Sequence, residues 1–175
     1  MKEWKKKARE DGLTRLLTKD QFEAEAAKRM ESDKSGVLFF IDLDGFKLVN
    51  DTYGHLMGDE VLRNTAERIR LCFRKDDLIG RYGGDEFVVY ASMFTDAELL
   101  ERRLTTLKNM LGHPHTLDDG SSTVSASIGV AHFPTDAVTF TELVHRADVA
   151  LYEAKRRGKD QHVYYSDKLM PKTEK

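Results

Sequence analysis

Two carboxylates stand side by side in the stretch GRYGGDEFVVY, residues 80–90. Asp85 and Glu86 follow Gly83 and Gly84, and the residues on both sides are rich in β-branched and aromatic types, which is typical of strands. A Gly-Gly pair supplies positive φ angles without steric cost, so an ordinary hairpin turn with a polar tip explains the pattern. A functional site becomes the better interpretation only if further acidic residues lie nearby.

Asp42 and Asp44 supply a second acidic pair. The apolar run VLFFID predicts a buried strand that ends at Asp42, and Asp44 follows two residues later. If the hairpin lies beside this strand, the four carboxylates converge and repel one another unless cations neutralise them. Oxygen ligands of this kind favour Mg²⁺ or Mn²⁺, and a pair of such ions activates a hydroxyl group and stabilises phosphoryl transfer. The residues therefore predict metal-dependent phosphoryl or nucleotidyl transfer.

A nucleoside triphosphate substrate also requires groups that bind phosphates. Neither the G-x-x-x-x-G-K-[ST] loop nor a G-x-G-x-x-G turn after a strand occurs in the sequence. The backbone amides of DGFK, residues 44–47, could form an anion-binding turn in their place. Lys47, Lys155 and Lys159 are available as phosphate ligands.

The elements that must position these residues alternate between helices and strands. Helices are predicted at about 20–32 and 59–73 and in the stretches TDAELLERRLTTLKNMLG and TFTELVHRADVALYEAKRRG. Thr18 or Asp20 is expected to cap the first helix, and Thr95 or Asp96 the third. Strands are predicted at about 37–42, 78–82, 87–92 and 123–133 and in QHVYY, with a polar loop at 43–58. This order predicts an α/β (α+β) sandwich in which helices cover a central mixed, mostly antiparallel sheet of about five strands.

The composition fits one folded domain without a membrane segment. The chain has 175 residues, 40% of them hydrophobic and 33% charged, and its net charge of -2 excludes a global attraction to nucleic acid. The single cysteine, Cys72, excludes an intrachain disulfide and favours a reducing, cytoplasmic compartment. No apolar run is long enough to cross a bilayer, so we expect no membrane contact by this fragment. Residues 1–10 are expected to form a helical lead-in or linker, 11–166 the domain, and 167–175 a polar tail.

The chain resembles the GGDEF family, the diguanylate cyclases, in RYGGDEF and in several further blocks. The stretches DGLT, FFIDLDGFKLVNDTYGHLMGDEVL, VSASIGVAHFP and RADVALYEAKRRGKD are similar to that family's motifs in the same order. The resemblance implies a nucleotidyl cyclase fold, related to the palm of polymerases. It also implies condensation of two GTP molecules into cyclic di-GMP with release of two pyrophosphates. Catalysis would take place across a homodimer. The domain would follow a sensory domain in a longer cytoplasmic protein or form the cytoplasmic part of a membrane-bound sensor.

The resemblance also implies roles for residues at the two acidic pairs. Asp42, Asp85 and the Leu43 carbonyl would bind two Mg²⁺ or Mn²⁺ ions per site. Glu86 would be a further ligand or the group that assists deprotonation of the 3′-hydroxyl, and the sequence leaves open whether Asp85 or Glu86 is the base. The glycines at 83 and 84 would let the substrate lie against the hairpin backbone.

Further residues match the family's substrate-binding and inhibitory positions. Asn50 and Asp59 would read guanine, whose N1–H and N2–H₂ donors a carboxylate can accept together. The phosphate-binding positions match Phe46, Lys47, Lys155 and Lys159, the last being a position where arginine is more frequent in the family. Arg74 and Asp77, in RKDD, match the R-x-x-D motif at which cyclic di-GMP inhibits these enzymes.

Some residues depart from the family pattern or have a purely structural interpretation. Arg15 stands where the family often has glycine after the DGLT turn, and Gly45 replaces a bulkier residue. His113 and His115 are interpreted as surface residues of a loop. Two alternatives to a diguanylate cyclase remain. One is a catalytically silent receptor for GTP or cyclic di-GMP, and the other is a cyclase with another base preference, which the intact Asp59 argues against.

Overall fold

A six-stranded sheet with helices on both faces forms the framework of the domain in a computed structural model. The structure describes residues 8–92, 96–117, 120–169 and 171. Along the chain the elements are β1 (Leu17–Thr18), α1 (Lys19–Ser32), β2 (Gly36–Asp44), α2 (Phe46–Tyr53), α3 (His55–Cys72), β3 (Leu78–Gly83), β4 (Glu86–Ser92), α4 (Ala97–Leu111), β5 (His115–Leu117), β6 (Gly120–Ser122), β7 (Ser125–Phe133), α5 (Phe140–Arg156) and β8 (His162–Tyr164).

The strand order in the sheet is β1-β3-β4-β2-β7-β8. The pairs β3–β4, β4–β2 and β2–β7 are antiparallel, whereas β1–β3 and β7–β8 are parallel. The predicted class, a mixed and mostly antiparallel sheet flanked by helices, is therefore confirmed. The sixth strand is the two-residue β1, which is too short to show any alternation in the sequence. Strands β5 and β6 form a separate hairpin.

Strand β2 is the centre of the core because both of its faces are covered. Val37, Phe39 and Ile41 pack with residues of α3 and α4, and Leu38 and Phe40 pack with residues of α1 and α5. This two-sided burial explains why β2 is a continuous apolar run rather than an alternating one.

Side-chain caps fix where three of the helices begin. Thr18 accepts a hydrogen bond from the backbone of α1, and Asp96 and Thr139 do the same for α4 and α5. Of the alternatives offered by the sequence, Thr18 rather than Asp20 is the first cap. Asp96 is the cap of α4, and Thr95 lies outside the described residues.

The predicted loop at 43–58 was wrong, because it contains α2 and the first residues of α3. Gly45 and Gly54, with φ of 72° and 86°, bound α2 in the left-handed region that favours glycine. These glycines and the polar residues between them resemble a loop in sequence. A helix of eight residues is marginal alone, so its packing against α3 stabilises it.

The ends of the chain are only partly described. The predicted helical lead-in lies mostly outside the described residues, but residues 8–10 are not helical. Glu10 forms a β-bridge with Leu17, and the Thr18 amide donates to the Arg9 carbonyl at 3.1 Å. No described helix has the length and apolar character needed to cross a membrane.

Candidate active site

Strand pairing brings the end of β2 to the tip of the β3–β4 hairpin. Asp42 lies opposite Glu86 in the antiparallel register, and the Leu43 amide donates to the Asp85 carbonyl at 3.3 Å. Burial raises the pKa of Asp42 to about 6, and the nearby charges of Asp85 and Glu86 act in the same direction. Strand pairing therefore brings these three residues to the same end of the sheet.

The carboxylate of Asp42 has one satisfied and one unsatisfied oxygen. The Lys155 ammonium group donates to Oδ2. Oδ1 is buried and has no hydrogen-bond partner among the residues that the structure describes. An orphaned carboxylate oxygen beside two further carboxylates is suited to a divalent cation with oxygen ligands. Within the described ranges no three Asp, Glu, His or Cys side chains are already grouped closely enough to hold a metal ion. The fit therefore rests on Asp42 and on the strand register.

Asp44 does not belong to this cluster, which corrects the expectation of four converging carboxylates. Its two oxygens accept hydrogen bonds from the hydroxyl groups of Ser125 at 2.6 Å and Ser127 at 2.7 Å, and from the Asp160 amide at 3.1 Å. These donors come from β7 and from the segment after α5. Asp44 therefore fastens neighbouring segments to β2.

Gly83 and Gly84 do not have the backbone conformation that a simple Gly-Gly turn would suggest. Neither φ angle lies in the left-handed region, so the backbone does not require glycine at either position. A Cβ atom on Gly84 would meet nothing within 4 Å, and one on Gly83 would meet only the Glu86 carboxylate at 3.9 Å. What the two glycines provide is open space along the hairpin backbone.

The hairpin tip is braced by Arg81, a residue that the sequence analysis did not single out. Its guanidinium donates to the Gly84 carbonyl at 2.9 and 3.1 Å and to the Asp11 carboxylate at 3.2 Å. Asp11 also accepts from the Thr14 amide and hydroxyl at 2.8 and 2.7 Å. Burial opposes ionisation of Asp11, yet the hydrogen bonds from Thr14 and Arg81 hold its pKa below the ordinary value. The DGLT turn therefore holds the hairpin.

Asn50 in α2 lies against Gly58 of α3, the residue that precedes Asp59. The Asn50 amide oxygen is so close to Gly58 that a Cβ atom there would be 1.8 Å from it. Gly58 precedes Asp59, and both predicted guanine-reading side chains are half-buried. The Asp59 carboxylate has no hydrogen-bond or ion-pair partner in the part of the chain that the structure describes.

The predicted phosphate ligands lie at the beginning of α2 and the end of α5. Phe46 and the exposed Lys47 form the first turn of α2, whose amide groups have no partners within the helix. Lys155 is in the last turn of α5, bonded to Asp42. Lys159 adopts a φ of 65° just after α5, and its amide donates to the Ala154 carbonyl at 3.0 Å.

The predicted inhibitory pair lies at the opposite end of β3 from the hairpin tip. The Arg74 amide donates to the Asp77 carboxylate at 2.8 Å, and the Asp77 amide donates to the Arg74 carbonyl at 3.0 Å. Burial raises the pKa of Asp77, against the effect of Arg74. The intervening strand, Leu78–Gly83, separates this pair from the acidic cluster by about 20 Å.

The interpretation of His115 as a surface residue was wrong. Its side chain is fully buried, with Nε2 at 3.1 Å from the Arg68 guanidinium and Nδ1 at 3.4 Å from the Asn64 amide nitrogen. Burial lowers the pKa of His115 to about 4. Arg68 also donates to the carbonyls of His113 and Pro114, so it ties this loop to α3. His113 is exposed, as expected.

Comparison with known proteins decides the family. The sequence profile described as "Diguanylate cyclase, GGDEF domain" matches residues 8–161. The chain is a GGDEF domain. It is 38% identical over 165 residues to the bifunctional diguanylate cyclase/cyclic di-GMP phosphodiesterase MucR of Pseudomonas aeruginosa, covering 91% of this chain and 24% of MucR. The GGDEF domain therefore spans about a quarter of the length of that curated relative.

Solved structures agree with this assignment. The GGDEF domain of TpbB (YfiN) from Pseudomonas aeruginosa superposes with a TM-score of 0.85 at 34% identity, covering 90% of this chain and 94% of that one. The GGDEF domain of DgcB from Caulobacter crescentus, solved in complex with c-di-GMP, gives a TM-score of 0.82 at 27% identity and covers 91% and 97% of the two chains.

Proposed function

We propose that this GGDEF domain is a diguanylate cyclase, which condenses two GTP molecules into cyclic di-GMP and releases two pyrophosphates. The observation that carries the proposal is the buried Asp42 oxygen, which has no hydrogen-bond partner among the described residues and lies opposite Glu86 and near Asp85. Divalent cations placed there would neutralise carboxylate charges that otherwise repel one another, and they would in turn bind the triphosphate of the substrate. The open space beside Gly84 would admit the substrate.

In this mechanism the chain contributes the ligands of the metal ions and positions one GTP per protomer. Asp42, Asp85, Glu86 and the Leu43 carbonyl would hold two Mg²⁺ or Mn²⁺ ions. When bound, the ions would supply charge neutralisation at the α-phosphate and lower the pKa of the attacking hydroxyl group.

The reaction forms one bond and breaks one in each half of the dimer. The 3′-oxygen of one GTP bonds to the α-phosphorus of the other, and the bond to pyrophosphate breaks. The hydroxyl proton passes to a carboxylate of the acidic cluster, Asp85 or Glu86. Because a protomer binds a single GTP, a homodimer is needed to bring the two substrates together.

Base selection and phosphate binding use the remaining residues. Asp59 would accept the N1–H and N2–H₂ donors of guanine, with Asn50 as the second guanine-reading residue, and adenine lacks this pair of donors. The first turn of α2, at Phe46 and Lys47, would bind phosphate oxygens through backbone amides. Lys155 and Lys159 would complete the phosphate site from the end of α5.

The proposed regulation is product inhibition at Arg74 and Asp77. Cyclic di-GMP bound there would lie at the far end of β3 from the acidic cluster, so it need not compete with GTP directly. An upstream sensory domain would control the dimerisation of the protomers, and the domain would act in the cytoplasm. The DgcB complex with c-di-GMP supports recognition of the product by a domain of this fold.

The decisive experiment incubates the purified domain with GTP and Mg²⁺ and separates the products by chromatography. Glu86→Gln tests the acidic cluster, and Glu98→Gln is the matched control because Glu98 is an exposed residue of α4. We expect cyclic di-GMP from the unmodified chain and from Glu98→Gln, and none from Glu86→Gln. If no product forms even after forced dimerisation, the proposal fails in favour of a silent receptor.

A further inference from the structure

Arg15 holds a backbone conformation that is unfavourable for any residue with a side chain. Its φ angle is 63°, in the left-handed region. The turn imposes this conformation, because the Arg15 amide donates to the Asp11 carbonyl at 2.8 Å and the Asp11 amide donates to the Leu16 carbonyl at 2.7 Å. Glycine would adopt it without strain. Strain of this kind is often found where a side chain has a binding role.

Arg15 lines a cavity of about 510 Å³ whose lining also includes the proposed inhibitory pair. The cavity has a strong excess of positive charge, with four cations against one acid. Its charged lining consists of Arg15, Arg70, Arg74, Lys75 and Asp77. The volume falls in the range of pockets that enclose small-molecule ligands.

Two of these four cations, Arg15 and Lys75, lack protein counter-charges within the described ranges, whereas Arg74 is attracted to the Asp77 carboxylate. Within the described ranges, the side chains of Arg15, Arg74 and Lys75 form no hydrogen bond or ion pair. Arg70 is different, because its guanidinium donates to the Thr14 carbonyl at 2.7 Å and pairs with Glu67. The unpaired guanidinium group of Arg15 at this concave site favours an anionic ligand, since arginine binds phosphate oxygens with two parallel donors.

A cyclic dinucleotide carries two phosphodiester groups, whereas the R-x-x-D motif supplies a single arginine. The second phosphodiester needs another cation in the same cavity. Arg15 meets this requirement from the DGLT turn, far in sequence from Arg74. We propose that Arg15 binds a phosphodiester group of cyclic di-GMP in this cavity and thereby sets the affinity of the inhibitory site. The proposal rests on the proposed function, because it takes the product of that reaction as the ligand.

The test is calorimetric titration of purified cyclic di-GMP into the unmodified chain, Arg15→Gly, Arg15→Lys and Arg102→Ala. We expect Arg15→Gly to weaken binding about 10-fold, as the loss of a charge-assisted contact to a ligand does. The Tm of Arg15→Gly should stay unchanged or rise by up to about 4 °C. Glycine relieves the strain of the positive φ angle, and the higher conformational entropy of the unfolded chain offsets part of this gain. Arg15→Lys should weaken binding less. Arg102→Ala removes an exposed cation on α4 and should bind as the unmodified chain does.

The outcomes separate this proposal from the proposed function. Equal affinity of Arg15→Gly and the unmodified chain would overturn the role of Arg15. Absence of binding by the unmodified chain would overturn both that role and product inhibition, and cyclase activity would still be decided by product formation from GTP. If the unmodified chain forms no product from GTP while Arg15→Gly binds cyclic di-GMP more weakly than the unmodified chain, the role of Arg15 is supported and the cyclase activity is refuted.

Discussion

Removal of the Arg81 guanidinium should loosen the hairpin that carries Asp85 and Glu86. Arg81 makes contacts with both the Gly84 carbonyl and the Asp11 carboxylate. The side chains of Arg81 and Asp11 are only 19% and 23% exposed, so solvent screens their ion pair less than a surface pair. Arg81→Ala deletes this ion pair and leaves the Gly84 carbonyl without its charged donor.

The expected loss in the free energy of unfolding follows from these two contacts. A mostly buried ion pair contributes about 1–2 kcal/mol, between the values for exposed and fully buried pairs. The lost bonds to the Gly84 carbonyl add about 1 kcal/mol, since water can partly replace them. A total of about 2–3 kcal/mol corresponds to a Tm decrease of about 5–10 °C for a domain of this size. Turnover should fall more than the affinity for GTP, because a displacement of about 1 Å at the acids can cost about 100-fold.

The assay combines thermal unfolding with a double-mutant cycle on Arg81→Ala and Asp11→Ala. We expect a coupling free energy of about 1 kcal/mol or more between them. Arg102→Ala is the matched control, because Arg102 and Glu98 form an ion pair at 74% and 75% exposure that should contribute less than about 0.5 kcal/mol. Equal Tm shifts for Arg81→Ala and Arg102→Ala, together with additive effects in the cycle, would refute the bracing role.

Three further substitutions or conditions test other contacts. Gly58→Ala should raise the KM for GTP about 10-fold, because its Cβ atom would lie 1.8 Å from the Asn50 amide oxygen and displace that side chain. Gly129→Ala should destabilise the fold by about 3 kcal/mol or more, seen in urea unfolding, because its Cβ atom would lie 2.0 Å from the Ala147 carbonyl of α5. His115 should make stability pH-dependent. Its pKa in the folded state is about 4 against an ordinary 6.5, so only the unfolded chain gains the proton between these values. Stability is then full above pH 6.5 and decreases by about 3 kcal/mol on acidification to pH 4.

Matched controls distinguish these effects from general perturbation. Gly12→Ala is the control for both glycine substitutions, because a Cβ atom there would meet nothing within 4 Å. If it changed KM or stability as much as they do, the steric argument would be wrong. His113→Gln, at an exposed position, should keep the pH dependence of unfolding, whereas His115→Gln should remove part of it. Parallel pH profiles for the unmodified chain and His115→Gln would contradict the prediction.

Local patterns predicted the elements with strong periodicity. The apolar run of β2, the β3–β4 hairpin and the amphipathic α4 and α5 lie where the sequence indicated them. The eight-residue α2 was missed because the glycines at its ends resemble loop residues, and its stability comes from contact with α3. Strand β1 was missed because two residues show no periodicity, and its pairing with β3 alone defines it.

The amino-acid sequence alone indicates which residue types are available: the acids of DLD and GGDEF, the small residues at the hairpin tip, and the apolar strand that precedes the acids of DLD. Which of these residues come into contact depends on the folded arrangement of the strands and turns. Asp44 lies outside the acidic cluster because serines of β7 donate hydrogen bonds to it. Arg81 contacts Asp11 as well as the hairpin tip, and Arg15 lines the same cavity as Arg74. The physical reason is that a side chain's partners come from strands and turns distant in sequence. A local pattern fixes which face a residue occupies, and the register of long-range pairing fixes what lies opposite it.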